Sequence, residues 1–144
     1  MHAELYLPDA IELELSELAR AALPQEACGL LLGRWTGATV TVCEQRLSRN
    51  LALPDARKAF QLDPAAIVQA ERRARSQGLE LLGCWHSHPA GGARPSARDL
   101  ALAQTGWVQL ILGGGSEGCA CTAWRSEGDR LVELRLRRPP AGGG

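Results

Sequence analysis

Apolar and polar positions along the chain alternate between strand-like and helix-like spacing. Leu5-Tyr6-Leu7 reads as a short first strand. From Pro8-Asp9 the apolar residues Ile11, Leu15, Leu18, Ala19 and Ala22 recur at helical spacing, and Pro24 ends the segment. Ala27 to Trp35 contains the unbroken run Leu30-Leu31-Leu32, the pattern of a strand covered on both faces. Gly37 predicts a turn and Thr39 to Cys43 the returning strand. Arg46 to Lys58 is polar, carries Asn50, Pro54 and Asp55, and is predicted as the longest loop, of the kind that binds partners. Ala59 to Leu62 reads as another strand. Asp63-Pro64 supplies an N-cap and a first-turn proline for a helix reaching about Gln77, whose solvated face carries Glu71, Arg72, Arg73 and Arg75. Gly78 closes that helix.

Leu79 to His86 is predicted as a buried central strand, with Pro89 stopping regular pairing. Ala90 to Pro95 is a loop of small residues, and Ser96 to Gln104 a helical segment. Val108 to Leu112 reads as a buried strand. Cys119 to Arg125 and Arg130 to Arg137 read as a last hairpin over Glu127-Gly128-Asp129. This order supports α/β or α+β. The tail, Arg137 to Gly144, has two prolines and ends in three glycines, and is predicted to be disordered.

Composition narrows the function classes. A chain of 144 residues is one domain by size. Sixteen basic and sixteen acidic residues cancel, so no charge excess points to nucleic acid. No apolar run approaches the ~20 residues that cross a bilayer, and the N-terminus carries no secretory pattern. Five cysteines, an odd number with no framework spacing, fit a reducing cytoplasmic setting. Cys119-x-Cys121 is too short for a zinc knuckle and lacks a second pair. Gly113 to Gly118 matches no phosphate-binding pattern. Cys28 and Cys43 are expected in the core.

Candidate chemistry concentrates in Cys84-Trp85-His86-Ser87-His88-Pro89 and the following Ser96-Ala97-Arg98-Asp99. Alternate strand residues share a face, so His86 and His88 point the same way. Asp99, in the first turn of the next helix, adds a hard oxygen. Three such ligands leave a fourth position on a zinc ion for water. Two simpler readings stand beside this one. The histidines read equally as a polar pair, and Ser96-x-x-Asp99 as a capping box. A capped helix start would also hold Asp99 still. Cys84, on the His86 face and two residues inward, is expected beneath the ion.

The string His86-Ser87-His88-Pro89, six residues and then Ser96-Ala97-Arg98-Asp99 resembles the signature of the JAMM (MPN+/JAB1) metalloproteases, in its compact bacterial and archaeal branch. Pro24 to Gly33 resembles the upstream segment, with Glu26 at the glutamate position. The resemblance implies an α/β domain over 1–137, a mixed curved sheet forming a partial barrel flanked by helices, as in the cytidine-deaminase-like JAB/MPN fold, followed by a flexible tail, 138–144. It implies Zn2+ held by His86, His88 and Asp99, Glu26 as general base, and Ser96 as hydrogen-bond donor to the oxyanion. The implied reaction is hydrolysis of an amide bond after a Gly-Gly end, on a ubiquitin-like sulfur-carrier protein. The alternatives are a cell-wall or phage-tail peptidase and a non-catalytic scaffold. No membrane partner is implied, and a homodimer is compatible with the resemblance. The glycines ending the tail resemble a ubiquitin-like terminus.

Overall fold

The computed structural model describes residues 3–101, 104–114 and 120–139. The elements run β1 (Glu4–Tyr6), α1 (Asp9–Ala22), β2 (Cys28–Thr36), β3 (Thr39–Ser48), α2 (Pro64–Gln77), β4 (Glu80–His88), α3 (Ala97–Ala101), β5 (Val108–Gly113), β6 (Cys121–Glu127) and β7 (Arg130–Arg137). α1 begins after an extended Pro8, with Asp9 and Glu12 in the first turn where the helix dipole favours acids. α2 starts as its sequence predicts. The Asp63 side chain accepts from the amide of Ala65 at 2.9 Å, and Gly78 closes the helix in the left-handed conformation. Among the described residues, no helix is long and apolar enough to cross a membrane.

The strands form a mixed sheet in the order β1-β3-β2-β4-β5-β6-β7, closed because β1 pairs in parallel with both β3 and β7. The curvature expected of a partial barrel therefore goes to completion. Leu31 joins Leu5, Val40, Trp85 and Leu110 in the main core with Leu15 and Ala19 of α1. Leu30 and Leu32 face the other way, onto Ala70 and Ala74 of α2. The leucine run thus serves two hydrophobic layers, as a doubly covered strand should.

β4 carries a device that decides what faces the functional site. Its register against β2 shifts between Leu31 and Leu32, which oppose Gly83 and Leu81, so Leu82 is an extra residue. The bulge lets Leu82 and Trp85, three apart, both reach the main core. It also sends Cys84 to the opposite face, against Phe60 and Cys28. Gly83 is required there. A Cβ on it would lie 2.0 Å from the carbonyl oxygen of Val108. Opposite Trp85, Gly29 leaves the space the indole fills, since a Cβ there would lie 2.4 Å from the indole nitrogen.

Several expectations are corrected. β3 runs five residues past Cys43 to Ser48, because β2 offers partners down to the pair Cys28–Ser48. Cys43 is exposed, not in the core. It is the extra residue where β3 bulges between the partners of Leu32 and Gly33. Ala59 to Leu62 forms no strand beyond a single bridge between Asn50 and Leu62. The Asn50 side chain takes the carbonyl of Ala59 and the amide of Gln61, which a strand partner would otherwise hold. β4 extends to His88, and β6 begins at Cys121 and continues to Glu127. α3 spans Ala97–Ala101 and Gln104 is not helical; 102–103 lie outside the described residues, as do Cys119, the 115–118 part of the glycine turn and the 140–144 part of the tail.

Gly83→Ala should lower unfolding free energy by about 3 kcal/mol, because main chain rather than a flexible side chain opposes the new methyl. Urea denaturation measures this, and an unchanged midpoint would show that the β4–β5 contact relaxes freely.

Candidate metal centre

The site lies where β4 ends beside the start of β2. The antiparallel ladder pairs Cys28 with His86. Continuing it, the Ser87 amide donates to the Ala27 carbonyl at 3.0 Å, and the Ala27 amide donates to the Ser87 hydroxyl at 2.8 Å. This brings Glu26 across from His88. Ser87, the residue between the two histidines, thus zips the strands together while its neighbours face the site.

His86 is fully buried. Its ring stacks on Phe60 with centroids 4.2 Å apart and planes inclined by 18°. His88 sets its Nδ1 3.0 Å from the carbonyl oxygen of Gly92. A carbonyl only accepts, so Nδ1 carries the proton and the lone pair of Nε2 faces the site. Nδ1 of His86 is buried and has no hydrogen-bond partner among the described residues.

Asp99 comes from α3. Its carboxylate accepts from the Ser96 amide at 2.7 Å, and its own amide donates to the Ser96 hydroxyl at 3.0 Å. The reciprocal capping box is therefore formed, and it aims Asp99 at the histidines. The Asp99 oxygens lie 3.3 Å from His86 Nε2 and 3.2 Å from His88 Nε2. The two Nε2 atoms are 3.1 Å apart. Around a tetrahedral ion with bonds of about 2.0–2.1 Å, ligand atoms lie about 3.3–3.4 Å apart. Three bases converging at that spacing fit a divalent cation. Glu26 belongs to the same cluster: Glu26, His86 and His88 each offer a ligand atom within 4.8 Å of the others.

The environment separates the two carboxyls. Burial pushes Glu26 up from 4.5 to about 7, with His88 opposing and Asp99 reinforcing. Burial also raises Asp99, but its contacts with the His86 and His88 rings outweigh it and hold the group well below the usual carboxylate range. Desolvation lowers His86, and the Asp99 contact raises His88. Cys84 packs against Phe60, the ring that stacks on His86, and burial pushes its thiol up to about 12. A thiol so strongly desolvated is a packing group.

All five predicted residues, Glu26, His86, His88, Ser96 and Asp99, meet at this place. Four of them line an open cleft of about 310 Å³. Ala90 and Gly91 of the small-residue loop line it, and so do Arg57 and Lys58 of the long loop and Ala59 just after it. Sequence reasoning missed Phe60 behind His86, the Gly92 carbonyl behind His88, and Asn50. The first two depend on non-local approach and carry no local signal. Asn50 was read only as a loop residue.

In metal-free protein the Glu26 carboxyl should titrate near 7 by carbon-detected NMR. The sign follows from desolvation: burial disfavours the anion, so the proton stays on to higher pH than in the unfolded chain. A midpoint near the ordinary 4.5 would mean that water fills the cleft around it.

Comparison with known proteins agrees with this geometry. The family model described as "Prokaryotic homologs of the JAB domain" matches residues 8–127. A desampylase of Haloferax volcanii is 35% identical over 129 residues, covering 89% of this chain and 88% of that protein. A "Probable TtuB-protein conjugate cleaving protease" of Thermus thermophilus is 34% identical over 113 residues, covering 76% of this chain and 70% of that one. The solution structure of a Desulfitobacterium hafniense protein matches with a TM-score of 0.85 at 33% identity, covering 94% of this chain and 92% of that one. A chain matched over so much of its length, with a glutamate, two histidines, a serine and an aspartate gathered at one cleft, belongs to the prokaryotic JAB-domain family.

Proposed function

We propose that this protein is a zinc-dependent isopeptidase. It hydrolyses amide bonds made to the C-terminal Gly-Gly of a ubiquitin-like sulfur-carrier protein. The observation that carries the reading is the triangle of His86 Nε2, His88 Nε2 and the Asp99 carboxylate, with edges of 3.1–3.3 Å, beside a buried Glu26. Relatives named a TtuB-protein conjugate cleaving protease and a desampylase support the substrate class.

The roles divide by chemistry. Asp99 keeps its charge at any working pH and so is the ligand carboxylate, with the two imidazoles completing the set. Zinc held there would acidify water toward a pKa of ~7 and polarise the scissile carbonyl. Glu26 is the carboxyl tuned near neutrality, which suits a group that takes a proton from water and returns it to the leaving amine. The Ser96 hydroxyl oxygen already accepts from the Asp99 amide, so its own proton is free to reach the carbonyl oxygen as charge develops there. The wall of Ala90 and Gly91 leaves room for an extended glycine-rich tail.

Purified protein should contain one zinc per chain and release whatever is joined after Gly-Gly on a carrier substrate. Iron, which also suits two histidines and a carboxylate, would displace zinc from the proposal if elemental analysis found it instead. Glu26→Gln should retain metal and lose roughly 10²–10⁴ in kcat. Substantial turnover in that variant would remove Glu26 as the base. His86→Ala and Asp99→Ala should lose metal and activity together.

Ser96 needs a subtler pair, because it also caps α3. Glycine caps almost as well as serine, whereas alanine costs about 1 kcal/mol. Ser96→Gly should therefore keep zinc and stability yet lose about 10²–10³ in rate. Full activity in Ser96→Gly would reduce the serine to a cap.

A further inference from the structure

We infer that Asn50 is the positioning residue for the general base, one side chain that joins Glu26, the cleft wall and the ring behind His86 into a unit. The inference rests on the reading of Glu26 as base. Asn50 Nδ2 donates to the carbonyls of Glu26 at 3.0 Å, Ala59 at 2.9 Å and Ala56 at 3.3 Å. Its Oδ1 accepts from the amides of Ala52 at 2.9 Å and Gln61 at 3.0 Å. Both amide hydrogens and both lone pairs are thereby engaged.

What those partners do gives the cluster its meaning. Glu26 precedes β2, so its main chain has no ladder partner of its own. Its carbonyl is held by Asn50, and its amide donates to Ala56 at 2.8 Å, a residue Asn50 also holds. Two further partners, Ala59 and Gln61, flank Phe60, the ring stacked on His86. Ala59 itself lines the cleft. One amide thus sets the base and backs a ligand histidine, while touching neither substrate nor metal. The ligands themselves ride on β4 and α3, and none of Asn50's hydrogen bonds is made to them; His86 meets this unit only through the Phe60 ring.

Removing Asn50 should therefore displace Glu26 while leaving the ion in place. Misplacement of a catalytic group by about 1 Å costs roughly 10²-fold in rate. Asn50→Ala should lower kcat by about that factor, keep KM on a carrier substrate within about threefold, and keep the full metal content. Asn50→Asp retains the oxygen that accepts from Ala52 and Gln61 but turns a second oxygen onto three carbonyls. It should lose kcat to the same extent.

Leu134→Ala, a core truncation in β7 three strands from β4, is the control for general loosening. Amide hydrogen exchange at Glu26 and Ala27 should accelerate in Asn50→Ala and not in Leu134→Ala. The proposal fails if exchange is unchanged. It fails equally if kcat falls no further than in Leu134→Ala at matched Tm, or if metal is lost along with kcat. It fails too if both Asn50 variants turn over normally while Glu26→Gln is inactive. Wild-type protein that hydrolyses no carrier substrate, with faster exchange in Asn50→Ala, would instead overturn the functional reading and leave the tether standing.

Discussion

The site depends on one stretch of antiparallel pairing, the last rungs between β2 and β4. Register there is quantised: a strand faces two ways, and its neighbour is either opposite or two residues off. With Cys28 fixed against His86, Ser87 meets Ala27 and Glu26 meets His88. The reciprocal hydrogen bonds between Ser87 and Ala27 extend this pairing just past the strand's end. An acid and two imidazoles from distant parts of the chain then share a face without any of their side chains having to hold the arrangement.

Charge is distributed by the same architecture. Glu26 and Asp99 are both buried, yet they sit at opposite ends of the carboxylate range. The difference is hydrogen bonding. Asp99 accepts from the Ser96 amide and lies beside two ring nitrogens, so its anion is well solvated by protein. Glu26 has main-chain tethers but, among the described residues, no comparable donors on its carboxylate, and desolvation dominates. Two identical functional groups are thereby given opposite tendencies, one to keep its charge and the other to hold a proton near neutrality.

Much of this was readable from local rules. Alternation put His86 and His88 on one face, and a serine three residues before an acid predicted both the helix start and a stationary Asp99. The helix α2 was legible to the residue because Asp63, Pro64 and Gly78 each act within one turn of themselves. Glu26 was different. Its partner strand lies about sixty residues away in sequence, and only the family resemblance connected them. Asn50 was invisible for a further reason. Its role is to hold main-chain groups, and backbone carbonyls carry no residue identity to read. The false strand at Ala59 to Leu62 is the same fact from the other side. Apolar alternation was present, but a side-chain amide replaced the missing neighbour. Cys43 misled because a bulge turned an apparently inward position to solvent.

The bulge at Leu82-Gly83 reconciles two demands on one strand. Strict alternation traced forward from the core residue Leu82 would turn His86 and His88 into the barrel interior, against Trp85's neighbours. One supernumerary residue reverses that parity. Removing Leu82 would leave Gly83 opposite Leu31 and His86 opposite Cys28, so what the extra residue adds is one more side chain in the barrel core. The strand thereby fills the interior with Leu82 and Trp85 while its end keeps both imidazoles on the outer face, beside Glu26.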